Sequence, residues 1–161
     1  MLYSFIIPAF NNCNLIKKCI DSILLNKLKK EIIIIDDGST DDTAKICKRY
    51  QKKNSSIKYI RQKNQGVAAA RNKGVKIAKG DFIWLIGDDD LLLPNALYDL
   101  DKLISKNKDV EFFYINSFCL ESEYVMSCQQ PFNTNNLPHD MRLFSTSITD
   151  GKMNFMDFLH F

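Results

Sequence analysis

Residues 31–43 read EIIIIDDGSTDDT, and that stretch decides the fold. Its four consecutive isoleucines, Ile32–Ile35, are β-branched and apolar, and they suit a strand covered on both faces. Cover on both faces belongs to parallel sheets, whose crossover helices lie on either side. The run stops at Asp36–Asp37–Gly38, a polar turn. Ser39 and Asp42 then stand at the spacing of a capping box. They predict a helix whose apolar side carries Ala44, Ile46, Cys47 and Tyr50.

The same alternation extends both ways. Leu2–Ile7 is a short apolar run ending at Pro8, a first strand. Leu15, Ile16, Cys19, Ile20, Ile23 and Leu24 recur at helical spacing. Ile57–Arg61 predicts a third strand, Val67–Lys79 a helix of small residues, and Asp81–Ile86 a fourth strand, buried like the second. Pro94 is expected in the first turn of the next helix, with Leu97, Leu100, Leu103 and Ile104 on its apolar side. Val110–Ile115 predicts a fifth strand. Strand–helix alternation of this length implies an α/β fold with a mainly parallel sheet between helices. Residues 1–116 are expected to form that unit. After Asn116 the pattern dissolves, Gln129–Pro138 reads as a long polar loop, and 117–161 read as the start of a second portion that is incomplete at Phe161.

Composition excludes several classes. The chain has 161 residues, 45% hydrophobic and 25% charged, with a net charge of +3. That is ordinary for a globular domain and too weakly basic for a nucleic-acid partner. No apolar run nears the roughly 20 residues of a membrane-spanning helix. Met1–Asn12 lacks the basic start and cleavage site of a signal peptide, so a cytoplasmic location is expected. Cys13, Cys19, Cys47, Cys119 and Cys128 form no Cys-x-x-Cys pair and read as reduced thiols.

In open parallel sheets, ligands bind beyond the carboxyl ends of the strands. Pro8, Ala9, Phe10 and Asn11 follow the first strand, Asp36 and Asp37 the second, and Gly87–Asp88–Asp89–Asp90 the fourth. Five carboxylates therefore gather at one edge. Adjacent aspartates repel, and a divalent cation relieves the repulsion. Carboxylate oxygens suit the hard ions Mg²⁺, Mn²⁺ and Ca²⁺. The competing reading of Asp88–Asp90 is a solvated cap on the next helix. Asp36–Asp37 is equally a turn and helix cap, or a carboxylate that accepts hydrogen bonds from a base or ribose. Phe10 stacks on a base or belongs to the core. Arg71 reaches a diphosphate, pairs with Asp37 or Asp88, or forms a surface ion pair. Lys45, Lys48, Arg49, Lys52 and Lys53 read first as a solvated helix face. Their second reading is contact with an anionic membrane.

Together, FIIPAFNN (5–12), CIDSILLN (19–26), EIIIIDDGSTDDT (31–43), NQGVAAARNKG (64–74) and AKGDFIWLIGDDDLLLP (78–94) resemble the inverting glycosyltransferases of family 2. The resemblance covers about residues 2–105 and implies a GT-A fold, a Rossmann-like α/β sheet that binds nucleotide-diphospho-sugars. It implies that Pro8, Ala9 and Phe10 line the nucleotide pocket. Asp37 would bind the base, usually uracil. Arg71 would lie near base and diphosphate, and Asp88 would face the ribose. The family more often writes Asp-Ser-Asp-Asp where this chain has Gly87–Asp90, and Asp89 is the expected metal ligand, with Asp90 beside it. The implied partners are a nucleoside-diphosphate sugar, with UDP as the expected nucleotide, and a saccharide or lipid-linked acceptor. The reaction would be inverting transfer assisted by Mn²⁺ or Mg²⁺, in a pathway such as polysaccharide biosynthesis. The general base is expected beyond residue 161, Asp140, Asp150 and Asp157 matching no motif. Two other readings stay open: a nucleotide-binding fragment without transfer activity, and a nucleotidyltransferase. The latter usually carries a Gly-rich loop after the first strand, and Pro8–Asn12 contains no glycine.

Overall fold

The computed structural model describes residues 1–108, a unit spanning Met1–Lys108. Eight elements alternate along it: β1 (Tyr3–Ala9), α1 (Ile16–Leu25), β2 (Lys30–Asp36), α2 (Thr43–Lys53), β3 (Ile57–Arg61), α3 (Val67–Ile77), β4 (Phe82–Leu85) and α4 (Ala96–Lys106). The strands form one sheet in the order β3-β2-β1-β4, and every pairing is parallel. The expected fifth strand, the boundary at residue 116, Cys119, Cys128 and the three later aspartates lie outside the described residues.

The four isoleucines behave as their chemistry requires. All are fully buried in β2. Side chains alternate across a strand, so Ile33 and Ile35 face α3, packing with Ile6 and Ala70. Ile32 and Ile34 face the other side. There α2 lies along β3, with the Lys48 ammonium above the ring of Tyr59, the residue paired with Ile34. Burying one such isoleucine contributes about 1.5–3 kcal/mol. The small residues of α3 serve close approach. A Cβ on Gly74 would come within 2.3 Å of Ile6 Cγ2.

Two local expectations change. Helix α2 begins at Thr43 without a capping box. Ser39 Oγ instead accepts the Asn11 N–H at 3.1 Å, and Asp41 Oδ1 takes the Thr43 N–H at 2.9 Å. Pro94 precedes the cap of α4 rather than opening its first turn. Asn95 occupies the cap with a φ of 66°, and Asn26, at the end of α1, accepts the Leu97 N–H at 3.3 Å. Among the described residues β4 pairs with β1 alone, and Ile83 and Leu85 are 44% and 50% exposed.

Candidate functional site

The strand order creates a switch point between β1 and β4. From β1 the chain passes to β2 and β3 on one side, and β4 joins on the other. Loops leaving neighbouring strands at such a point diverge and open a crevice beyond their carboxyl ends. The loops after β1 and β4 meet there.

Asp88 ties them together. Its Oδ2 accepts the Phe10 N–H at 3.2 Å, and its Oδ1 accepts from Asn12 Nδ2 at 3.1 Å. Burial raises the Asp88 pKa above the ordinary carboxylate value. The two donors offset this in part, and the neighbouring Asp89 charge adds to it. The adjacent aspartates thus do repel, but burial is the larger cause.

Asp37 sits one strand away, 4% exposed. Its N–H donates to Ala9 O at 2.8 Å, which places it level with the end of β1. Its Oδ1 accepts from Gln62 Nε2 at 2.8 Å and from Gln65 N at 2.9 Å, and its Oδ2 accepts from Gly66 N at 2.7 Å. Burial pushes its pKa up, but these three donors together outweigh burial and hold it below the ordinary value. A carboxylate offers about four acceptor positions, so these three donors leave roughly one of them unused. It also fastens the loop that leads into α3.

Asp89 and Asp90 are exposed. Asp90 Oδ2 closes the turn on the Gly87 N–H at 2.8 Å. A Cβ on Gly87 would lie 2.7 Å from Asp89 Oδ1 and 2.9 Å from Asp90 Oδ2. Two carboxylate oxygens therefore converge on the space above Gly87, and a side chain there would fill it. From beneath, Cys19 Sγ contacts Gly87 O at 3.3 Å, its thiol pKa raised by burial. Among the described residues no three His, Cys, Asp or Glu side chains form a metal cage. The donor set fits a hard cation held by one or two carboxylates and otherwise by ligand or solvent oxygens.

The remaining expected residues are placed less uniformly. Phe10 is 49% exposed beside Asp88. Pro8 and Ala9 are buried within β1. Arg71 is exposed on α3, and no ion pair joins it to Asp37 or Asp88. The buried Asp36 is satisfied internally, by Tyr59 Oη, the Ser39 N–H and Arg61 Nε at 3.8 Å. Cys13, Cys19 and Cys47 are free thiols. Asn12, Gln62 and Asp41 carry much of the geometry, and the sequence reading passed over all three. The Asn11–Asn12 doublet was the available signal, since asparagine tolerates the φ of 49° found at Asn11.

Comparisons with known proteins identify the family. The family described as "Glycosyl transferase family 2" matches residues 4–157. Glycosyltransferase GlyA of Streptococcus pneumoniae is 37% identical over 100 residues, covering 62% of this chain and 14% of the relative. Glycosyltransferase GlyG of the same organism is 33% identical over 112 residues, covering 68% and 37%. The chain thus spans well under half the length of these curated relatives. The crystal structure of S. aureus TarS 1-349 in complex with UDP-GlcNAc superposes with a TM-score of 0.63 at 27% identity, covering 67% of this chain and 32% of that one. With a parallel sheet, flanking helices and this match to a GT-A enzyme, the chain belongs to glycosyl transferase family 2 and has its GT-A fold.

Proposed function

We propose that the chain binds a nucleoside-diphosphate sugar at the β1–β4 switch point and serves its transfer, with inversion, to an acceptor hydroxyl. The meeting of Asp88 with Phe10 and Asn12 at that point carries the reading, because it joins an exposed aromatic ring to a carboxylate at the ligand-binding edge. Phe10 offers a stacking face for a base, the open acceptor position of Asp37 an imide partner, and Asp88 a ribose contact. Pro8 and Ala9 form the pocket's floor through the end of β1, and Arg71 lies on the diphosphate side. The UDP-GlcNAc held by the 27%-identical TarS supports a uridine donor.

Asp89, with Asp90 beside it, would hold Mn²⁺ or Mg²⁺. Such an ion, when bound, supplies Lewis-acid stabilisation of the leaving diphosphate. In the transfer the acceptor oxygen forms the new bond to the anomeric carbon as the bond to the diphosphate oxygen breaks on the opposite face. The hydroxyl proton passes to a general base. No described residue is assigned that role.

Calorimetric titration with UDP, GDP and ADP tests the reading. UDP is expected to bind tightest, and Asp37→Asn to narrow the gap. The asparagine keeps the shape but turns an amide donor toward a site built of donors. Equal affinity for the three nucleotides in the wild type would remove Asp37 as the base reader.

A further inference from the structure

Helix α2 is one-sided in charge as well as in hydrophobicity. Lys45, Lys48, Arg49, Lys52 and Lys53 are all exposed. At 3.6 residues per turn they fall within an arc of about 140°. The buried Thr43 and Cys47 lie on the opposite side. No acidic residue occurs anywhere in residues 43–63. Residues 1–108 hold 20 basic and 12 acidic side chains, a net of +8, and five of those cations stand on this one helix.

Neighbouring groups compensate little of it. Lys45 lies 4.0 Å from Asp42, with both side chains largely exposed, a weak pair. Lys48 rests above the Tyr59 ring at 6.0 Å. Asp21, on the adjacent α1, accepts from Tyr50 Oη at 2.5 Å. Asp36 is engaged by Tyr59 and Arg61 beneath the helix. Lys48, Arg49, Lys52 and Lys53 form no ion pair among the described residues. The stripe is roughly 12 Å long, and four of its five cations have no ion pair among the described residues.

We propose that the outward face of α2 is a docking surface for an anionic lipid bilayer, bound reversibly through lipid headgroups. The apolar side of α2 is committed to the core, so nothing inserts and the contact is electrostatic. Clusters of four to eight basic residues on a helix suit such surfaces, each residue worth on the order of a fivefold change in partitioning. A headgroup layer matches the stripe better than one small anion does, because the cations form a row along the outward side of a helix. The first residue of α2, Thr43, accepts the Asn12 N–H at 3.0 Å, so the N-terminal end of the helix adjoins the site, while its basic side is turned away from Thr43. The docking does not rest on the proposed transfer function.

The test needs no enzymatic turnover. Vesicles of phosphatidylcholine alone, and with about a third phosphatidylserine, are co-sedimented with the full chain at 0.1 M and 0.5 M salt. The salt range follows from a Debye length of about 10 Å at the lower value. Binding is expected only to the anionic vesicles and only at low salt. Replacing Lys48, Arg49, Lys52 and Lys53 together by glutamine, which keeps helix propensity, should weaken it more than tenfold. Replacing the exposed Lys17, Lys27, Lys76 and Lys106 by glutamine changes net charge equally and should weaken it far less. Circular dichroism confirms that both variants fold. Equal losses in the two variants would reduce the effect to net charge and overturn the proposal. So would wild-type indifference to phosphatidylserine, or binding to a soluble acidic polysaccharide with none to vesicles. Failure here leaves nucleotide affinity unchanged, so it is distinguishable from failure of the proposed function.

Discussion

Asn12 joins three parts of the site with three groups. Its side chain donates to Asp88, its N–H to Thr43 Oγ1, and its carbonyl accepts the Ile16 N–H at 3.1 Å at the start of α1. Asn12→Ala removes only the first. It leaves a half-buried carboxylate without its side-chain donor, which costs about 1–3 kcal/mol. A lowered Tm and weaker UDP binding are expected, with α1 and α2 intact by circular dichroism. Asn12→Asp should be worse, since it sets a second carboxylate against Asp88. Wild-type stability and UDP affinity in both variants would show that the bond carries nothing. The positions of Asp37 and Asp88 were legible in the sequence, because strand ends can be counted from the alternation. The role of Asn12 was not, because it depends on β1 and β4 being neighbours, and strand order is a tertiary fact.

Helix starts show how local patterns yield to packing. Ser39 and Asp42 have capping spacing, yet Ser39 is taken by Asn11, and Asp41 does the work. Asp41 accepts from the N–H groups of Thr43 and Cys13, each at 2.9 Å. Partial burial raises its pKa, but these hydrogen bonds prevail and hold it at about 2, against an ordinary 3.8. A depressed carboxylate adds stability that is complete above the unfolded pKa and is lost as pH falls through the folded one. The Tm difference between wild type and Asp41→Asn should therefore be constant above pH about 4 and close as pH falls toward 2. A difference that stays constant across that window would assign the effect to shape rather than charge. Helix α3 offers a steric test. Ile6 is fully buried and β-branched, so it cannot swing away from a methyl group at Gly74. Gly74→Ala should cost about 1–3 kcal/mol, despite alanine's better helix propensity. An unchanged or higher Tm would mean that α3 can lift off the sheet. The small-residue run in NQGVAAARNKG made this contact legible in the sequence.

At the scale of the molecule, the sheet brings two separate requirements to one edge. Asp37 and Phe10 can serve the nucleoside, while Asp89 and Asp90 can serve a cation with too few protein ligands to hold it tightly. A cation bound mainly through a ligand's oxygens must bind cooperatively with that ligand. Mn²⁺ alone should therefore bind weakly, and UDP should tighten it by contributing phosphate oxygens. Reciprocity then requires Mn²⁺ to tighten UDP by the same factor, on the order of 5–150-fold for typical couplings. Asp89→Asn keeps the shape and removes the charge. It should abolish the coupling, while UDP binding without metal stays near the wild-type value, because Asp37, Phe10 and the Asp88–Asn12 bond are untouched. Asp90→Asn should retain part of the coupling, since Asp90 already spends one oxygen on the Gly87 N–H. Calorimetric titrations of UDP with Mn²⁺ or with a chelator, on the wild type and both variants, separate these cases. If chelation leaves wild-type UDP affinity unchanged, the convergence of Asp89 and Asp90 over Gly87 is a solvated turn and the metal-assisted reaction falls with it. If affinity drops on chelation but Asp89→Asn still couples, the ligand is Asp88 or Asp90, and the assignment within the cluster moves by one residue.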